Sequence, residues 1–554
     1  MSSRTALIGA VVSSLFALGA CVSIPVDGPV TKARSDVGAR QSATRFVPAG
    51  PVAGATKVDV VRGYMEAMLA YPVAWTTAQE FLTPSAQQRW DPDAATLVYS
   101  GFTVESEPAS NTYWVRVDRV SRLDSLGRFA AVSGSERIEL SLVNIDGEWR
   151  IDSPPQGALL SHDFYLSHMQ PFEVRFFNEA GTRLVSEPVH AVTGEKLATS
   201  LVNILGRGPH PQDVPWQRTF LSGSFARPGV VPLIDGVAHV TVDSPASGES
   251  QDDQDRASAQ IISTLLNVPG ITGVVISDAD GVRVDTTDPD QSPEMWEQFD
   301  VGNNRAWIHA IAQDRVWRID STTPRPAPGY LSKSAGGAKN VSLSRNVTAA
   351  TWESRGVKSD LNGDNAVAIE GQRFLPPVVD AADVAWFIDR PSAESRLRVV
   401  DSRVTSIGLQ GIERVRAFDL SADGSRVAVV DQAGHVFIAP VIREAERVVR
   451  LGKLTRLSTV ENRVTHAQWL TNSTILYIRR DAPRQLREAR IDGSHSVSSW
   501  SALGRWLPNV TVERLVISPS TVPVVTILDS RHRVWVWGSG TWQLVSINKA
   551  HGLS

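Results

Sequence analysis

The chain has one cysteine in 554 residues, Cys21. No disulfide can form within it, so its folded parts rest on burial and hydrogen bonding, which chains of this length can manage. Extreme charge is also missing. A net charge of -4 and a pI near 6.3 leave no broad basic footprint for nucleic acid. After the first residues, no apolar stretch reaches the roughly 20 needed to cross a bilayer. The 11 histidines are scattered, and none sits in a spaced ligand motif such as H-E-x-x-H. Asp278-Ala-Asp-Gly281 brings its glycine too early for a calcium loop and lacks the closing glutamate. Asn362-Gly-Asp-Asn365 lacks alternating ligands. Gly206-Arg-Gly208 ends a helix instead of opening one, which excludes a phosphate loop. Neither a G-x-S-x-G elbow nor S-x-x-K occurs in a fitting context. No catalytic, cofactor or metal residues are therefore expected, and the chain reads as a non-enzyme.

What is present begins at the front. Arg4 precedes an apolar run from Ala6 to Ala20, which leads into Leu18-Gly19-Ala20-Cys21. A basic start, a short apolar segment and small residues before a cut are the layout of a secretory signal. The run is too short to span a membrane. Leu-Gly-Ala-Cys resembles a lipobox, the cleavage site of bacterial lipoproteins. That resemblance implies removal of residues 1–20, with Leu18, Gly19 and Ala20 as recognition residues. It also implies an S-diacylglyceryl group and an N-acyl group (palmitate) on Cys21, holding the chain on the extracytoplasmic face of the cell membrane. Residues 21–55 are rich in Pro, Gly, Ser, Thr and Ala with almost no apolar periodicity, which predicts a flexible tether.

Residues 56–170 form the first expected domain. Val60, Val61, Tyr64, Met68 and Leu69 recur at helical spacing. Thr77-Ala-Gln-Glu80 and Ser85-Ala-Gln-Gln88 read as capping boxes. The period then changes to two through Thr112-Tyr-Trp-Val-Arg-Val117 and Arg137-Ile-Glu-Leu-Ser-Leu142, with a hairpin turn at Asp146-Gly147. Helices followed by an antiparallel sheet make an α+β domain. Its ending, Asp146-Gly-Glu-Trp-Arg-Ile151, resembles the last hairpin of NTF2-like domains.

Residues 171–290 form a second α+β domain, with helices over Glu195 to Leu205 and Ala257 to Leu266. Three ordered stretches carry a resemblance to GerMN domains. These are Leu201-Val-Asn-Ile-Leu-Gly-Arg-Gly-Pro209, Asp235-Gly-Val-Ala-His-Val-Thr-Val-Asp243 and the helix-to-strand turn from Gln260 to Val274. The resemblance implies a non-catalytic envelope or interaction module.

Residues 295–554 are β throughout. A strand, turn and strand unit is clearest at Ala417-Phe-Asp-Leu-Ser-Ala-Asp-Gly-Ser-Arg-Val-Ala-Val-Val430. Weaker copies surround Ser344, Thr471 and Ser518. At about 40 residues per blade these predict a propeller of roughly five to seven blades; a pair of β-sandwiches is the alternative. Asp423-Gly424 is assigned to the turn, with no catalytic role.

Two α+β domains, NTF2-like then GerMN-like, followed by an all-β propeller behind a lipobox resemble the LpqB family of actinobacterial lipoproteins. The resemblance covers nearly the whole mature chain. It implies an accessory of a two-component system of the MtrA–MtrB type that contacts the extracellular domain of the sensor kinase, with effects on cell-wall metabolism and division. Fold alone does not settle function, and the open alternative is an envelope hydrolase or glycan-binding scaffold using the propeller face.

Overall fold

The computed structural model describes residues 45–554 apart from 107–111, 222–228, 244–249, 292, 301–306, 392–393, 445–446, 495–505, 519–522 and 539. Helix α1 (Lys57–Ala67) opens the first module. Thr56 accepts from the backbone N–H of Asp59, and Asp59 reaches back to Thr56, so this is the capping box that forms. The boxes expected at Thr77 and Ser85 do not form. Helix α2 (Thr76–Glu80) starts one residue before Thr77 with no side-chain cap. Helix α3 (Pro84–Arg89) is capped by Thr83, since Pro84 fixes the first helical turn. Strands β1 (Ala95–Ser106), β2 (Thr112–Asp124), β3 (Phe129–Ala131), β4 (Ser135–Ile145), β5 (Glu148–Ser153) and β6 (Ala158–Ser161) follow. Their order is β5-β4-β2-β1-β6, with β3 beside β2. Asp146 and Gly147 take φ of 51° and 91°, the left-handed pair a two-residue hairpin demands. The sheet is mixed, not antiparallel, because β6 returns parallel to β1. Tyr64, Met65, Trp90, Leu140 and Ile151 from helices and sheet share one core.

Helix α4 (His162–His168) leads into β7 (Met169–Asn178) and β8 (Leu184–Val192), a long hairpin joined by β9 (Gln217–Arg218). Helix α5 (Leu197–Arg207) buries Leu201, Val202 and Leu205 and ends at Gly208, where φ is 82°. A second sheet orders β10 (Leu233–Ile234), β11 (Val237–Thr241), β12 (Gly273–Asp278) and β13 (Gly281–Asp285) side by side. Between β11 and β12 lies α6 (Gln251–Leu265), and the two strands are parallel, as a helical crossover requires. Helix α6 starts six residues before the expected Ala257. Its first turns are polar and show no apolar stripe; Ser250 caps them and Asp252 and Asp253 suit the dipole.

Six successive sheets follow among the described residues, beginning at Ile308–Ala312, Asn340–Leu343, Val378–Val379, Val415–Leu420, Val464–Thr471 and Val512–Ser518. Strands within each pair antiparallel in sequence order, save that Thr455–Arg456 in the fourth pairs back onto Phe437 and Ile438. Apolar clusters fill every gap between neighbours. Trp386 and Ile388 meet Leu420 and Val427, for example, while Ala428 and Val430 meet Trp469 and Ile475. The ring closes where Ile308 and Ala310 of the first sheet pack on Val516 and Leu528 of the last. These six inter-sheet cores make a six-bladed β-propeller, not two facing sandwiches. The 77-residue gap between the Ser344 and Ser421 units spans two blades. The hairpin between them, Asp380-Ala-Ala-Asp383, lacks the serine.

Residues 551–554 complete the first blade. His551 and Ile311 exchange two backbone hydrogen bonds of 2.8 Å, and His309 and Ser554 exchange two of 2.7 and 2.9 Å. Leu553 and Ala550 are buried beside them. Four backbone bonds at about 1 kcal/mol each, plus this apolar burial, hold the ring shut. Deleting residues 551–554 is expected to lower the melting temperature by several degrees and to open the propeller to protease. An unchanged melting curve in calorimetry would mean that the ring closes by other means.

Candidate functional site

Cys21, Leu18, Gly19 and Ala20 lie outside the described residues. Inside them, the densest polar chemistry is where three modules meet. Strand β8 is buried along eight of its nine residues although it carries Ser186, Glu187 and His190. Each of these side chains joins the middle module to a neighbour.

Glu187 is 5% exposed. Arg128, just ahead of β3, donates to it from Nε at 2.8 Å and Nη2 at 2.6 Å. From the propeller, Arg426 Nη2 reaches the other oxygen of the same carboxylate. Gln217 Nε2 adds a donor at 3.3 Å. Arg128 Nη2 also lies 2.6 Å from Asp213, and the Arg426 guanidinium sits 4.8 Å from the Trp216 ring centre. A buried ion without a partner costs several kcal/mol, and here anions and cations alternate. Burial would lower the Arg128 pKa, but the Glu187 and Asp213 charges outweigh it and raise it. Asp213 is itself pushed up, by burial first, with Arg128 opposing.

Ser186 is held on three sides. Its N–H donates to Asp423 Oδ2 at 3.1 Å, and its carbonyl accepts from Arg426 Nη1 at 2.5 Å. Its hydroxyl accepts from Asn472 Nδ2 at 3.0 Å and from Arg175. Asp423 belongs to the hairpin of the clearest propeller repeat. Its other oxygen closes that hairpin, accepting from Ser421 Oγ at 2.6 Å and Ser425 N at 2.9 Å. The turn residue thus does a second job, docking the middle module. His190 spans all three parts. Its Nδ1 lies 2.9 Å from Tyr165 Oη, its Nε2 3.1 Å from Asp492 Oδ2, and its N–H donates to Gly127 O at 2.7 Å. Burial alone would raise the Asp492 carboxyl, but the His190 hydrogen bond and the Arg490 charge hold its pKa at about 2.

One cavity borders this framework and a second lies within the propeller. A cleft of about 210 Å³, open to solvent, runs between the modules over Phe129, Trp216, Ile438 and Ile491, with Lys453 and Arg456 exposed at its rim. The propeller channel holds a cavity of only about 50 Å³, lined by His309, Ser342, Asp419, Gln468 and Arg514. Burial lowers His309 to about 3, which leaves it neutral at pH 7. Burial also lowers Arg514, to about 10, against the pull of Asp419. Among the described residues, no three His, Cys, Asp or Glu side chains are placed to hold a metal. No described helix is long and apolar enough to cross a membrane. Sequence reading missed the junction. Its one signal was a glutamate and a histidine three apart inside the apolar run Leu184-Val-Ser-Glu-Pro-Val-His-Ala-Val192.

Glu187→Gln removes the anion that two guanidiniums share, so it should cost about 3–5 kcal/mol; a denaturation midpoint within error of wild type would refute that account. Acid should act through Asp492. Its lowered pKa adds stability that is complete above its ordinary value of 3.8 and is lost as pH falls towards about 2. Asp492→Asn should flatten that part of the stability profile, and an equally steep profile in the variant would exclude Asp492 as the source.

Comparison with known proteins matches both ends of this architecture. The model described as "Lipoprotein LpqB, N-terminal domain" matches residues 50–165, and "Lipoprotein LpqB beta-propeller domain" matches residues 314–547. Lipoprotein LpqB of Streptomyces coelicolor is 25% identical over 545 residues, covering 87% of this chain and 88% of its own. Lipoprotein LpqB of Mycobacterium bovis is 26% identical over 559 residues, covering 92% of each. Among solved structures, TolB from Acinetobacter baumannii aligns with 51% of this chain and 82% of its own, at 10% identity and a TM-score of 0.33, too loose to bear on function. With two models of one family matched in order and relatives aligned nearly end to end, the chain belongs to the LpqB lipoprotein family.

Proposed function

We propose that this chain is a lipid-anchored envelope protein, held at Cys21 on the extracytoplasmic face of the cell membrane. In this reading it is a non-catalytic accessory of a two-component sensor kinase of the MtrA–MtrB type, linked to cell-wall metabolism and division. The observation that carries the reading is membership of a lipoprotein family together with Leu18-Gly19-Ala20-Cys21. The first module is taken as NTF2-like, supported by the Asp146-Gly147 hairpin between β4 and β5. The middle one is taken as GerMN-like. Its three quoted motifs fall at the end of α5, on β11, and across α6 into β12.

The physical logic is presentation. Two acyl chains anchor stably where one is marginal. A tethered protein meets a membrane partner at about millimolar effective concentration, so weak surfaces suffice. Modules locked through Glu187 and His190 would offer the kinase ectodomain one fixed surface.

The test is titration of the kinase ectodomain onto the full chain in phosphatidylcholine nanodiscs. Saturable association is expected, and none at high micromolar concentration would end the proposal. Cys21→Ala is expected to leave the melting temperature unchanged while reducing kinase output in the cell. Normal output from a soluble Cys21→Ala protein would reduce the anchor to an address.

A further inference from the structure

The two faces of the propeller differ. Turns between first and second strands hold Asp423 and Asn472 against the middle module. The opposite face carries the starts of first strands and the ends of second strands. Antiparallel pairing puts Arg373 and Arg390 of the third blade there, joined by a 2.9 Å backbone bond. Arg416 of the fourth blade stands there at a β-bulge between Val415 and Ala417. Arg480 of the fifth blade follows its second strand, bonded through its backbone to Arg463 at 2.9 Å.

None of Arg373, Arg390, Arg416 and Arg480 forms an ion pair with a described carboxylate. Arg416 Nη2 donates to the Gln432 carbonyl at 2.9 Å, but its Nε and that of Arg390 are buried without a hydrogen-bond partner. Arg390 and Arg416 are half-buried; Arg373 and Arg480 are exposed at the edge. The carboxylates close by are committed elsewhere. Asp389 accepts the backbone N–H of Gln372 and Arg373, Asp431 holds His435, and Glu461 and Asp481 hold Arg479. Glu413 and Glu513 stand on this face without pairing to any of the four.

Crowded cations with buried, unused N–H groups are unfavourable unless an anion joins them. Burial lowers the pKa of Arg390, and the Arg373 and Arg416 charges lower it further. Burial and Arg480 do the same to Arg416, outweighing the pull of Asp431, which is already hydrogen-bonded to His435. We propose that this face of the third to fifth blades is an oxyanion site, taking a phosphate group on Arg390 and Arg416 with Arg373 and Arg480 closing around it. The guanidinium fork matches phosphate oxygens in pairs. That phosphate is either soluble or the headgroup of an anionic lipid.

The experiment uses the full chain in phosphatidylcholine nanodiscs, titrated calorimetrically with inorganic pyrophosphate. One saturable event is expected, accompanied by a rise in melting temperature. Arg390→Gln combined with Arg416→Gln should weaken it about tenfold or more. Because exposed side chains leave folding untouched, Arg373→Gln with Arg480→Gln serves as a second variant and should weaken binding as well. Repeating the titration in phosphatidylglycerol discs separates the sources. Loss of pyrophosphate binding there assigns the site to a lipid headgroup, and undiminished binding assigns it to soluble phosphate. No saturable event in neutral discs, or equal affinity in wild type and both variants, overturns the proposal.

Discussion

Glu187 is the constraint on which the arrangement of modules depends. One carboxylate accepts from Arg128 on one side and Arg426 on the other, and these come from different modules. A buried ion network contributes little net stability compared with an apolar core, because desolvation offsets most of the attraction. Its contribution is specificity, since any other docking of the modules would strand charge away from water. Three parts with separate cores are thereby given one mutual orientation. Ile442 of the propeller enters the core of the middle module beside this network, so the contact is apolar as well as ionic.

The same economy appears in the propeller. Asp423 does what the repeat requires of it, closing a hairpin with one oxygen, and spends the other on Ser186 N–H. In the third blade Asp380, fully buried, similarly serves the backbone N–H of Val384, the Trp386 indole and Arg443 of the next blade. Turn carboxylates therefore weld blade to blade and blade to module. Carboxylates on the far face are occupied locally, which is what leaves Arg373, Arg390, Arg416 and Arg480 without an ion pair.

Much of the fold was legible because it rests on local rules. Alternation marked β2 and β4, Asp146-Gly147 marked a two-residue turn, and the helical stripe Leu197, Leu201, Ile204 and Leu205 marked α5. Misplaced boundaries came from competition between local signals. Thr83 ahead of Pro84 outcompeted Ser85, and Ser250 extended α6 through turns too polar to show a period. The junction was hidden for a different reason. Arg128 is 59 residues from Glu187, and Arg426 is 239, and pairing at such separations leaves no periodic trace. Parallel return of β6 to β1 was hidden likewise, because strand direction is set by the route of the chain and not by its pattern.

The pairing of residues 551–554 with the first blade also sets a clock. Ile311 and His551 are 240 residues apart. Closing such a loop costs about 5 kcal/mol of chain entropy, growing only with the logarithm of its length. Time is the larger matter. At about 5–20 residues per second of synthesis, the strand Ile308–Ala312 exists for tens of seconds before its inner neighbour is made. Throughout that interval it presents an apolar, hydrogen-bonding edge of the kind that recruits other strands. A growing chain of this design therefore exposes this edge early, and covers it only once residues 551–554 have been made.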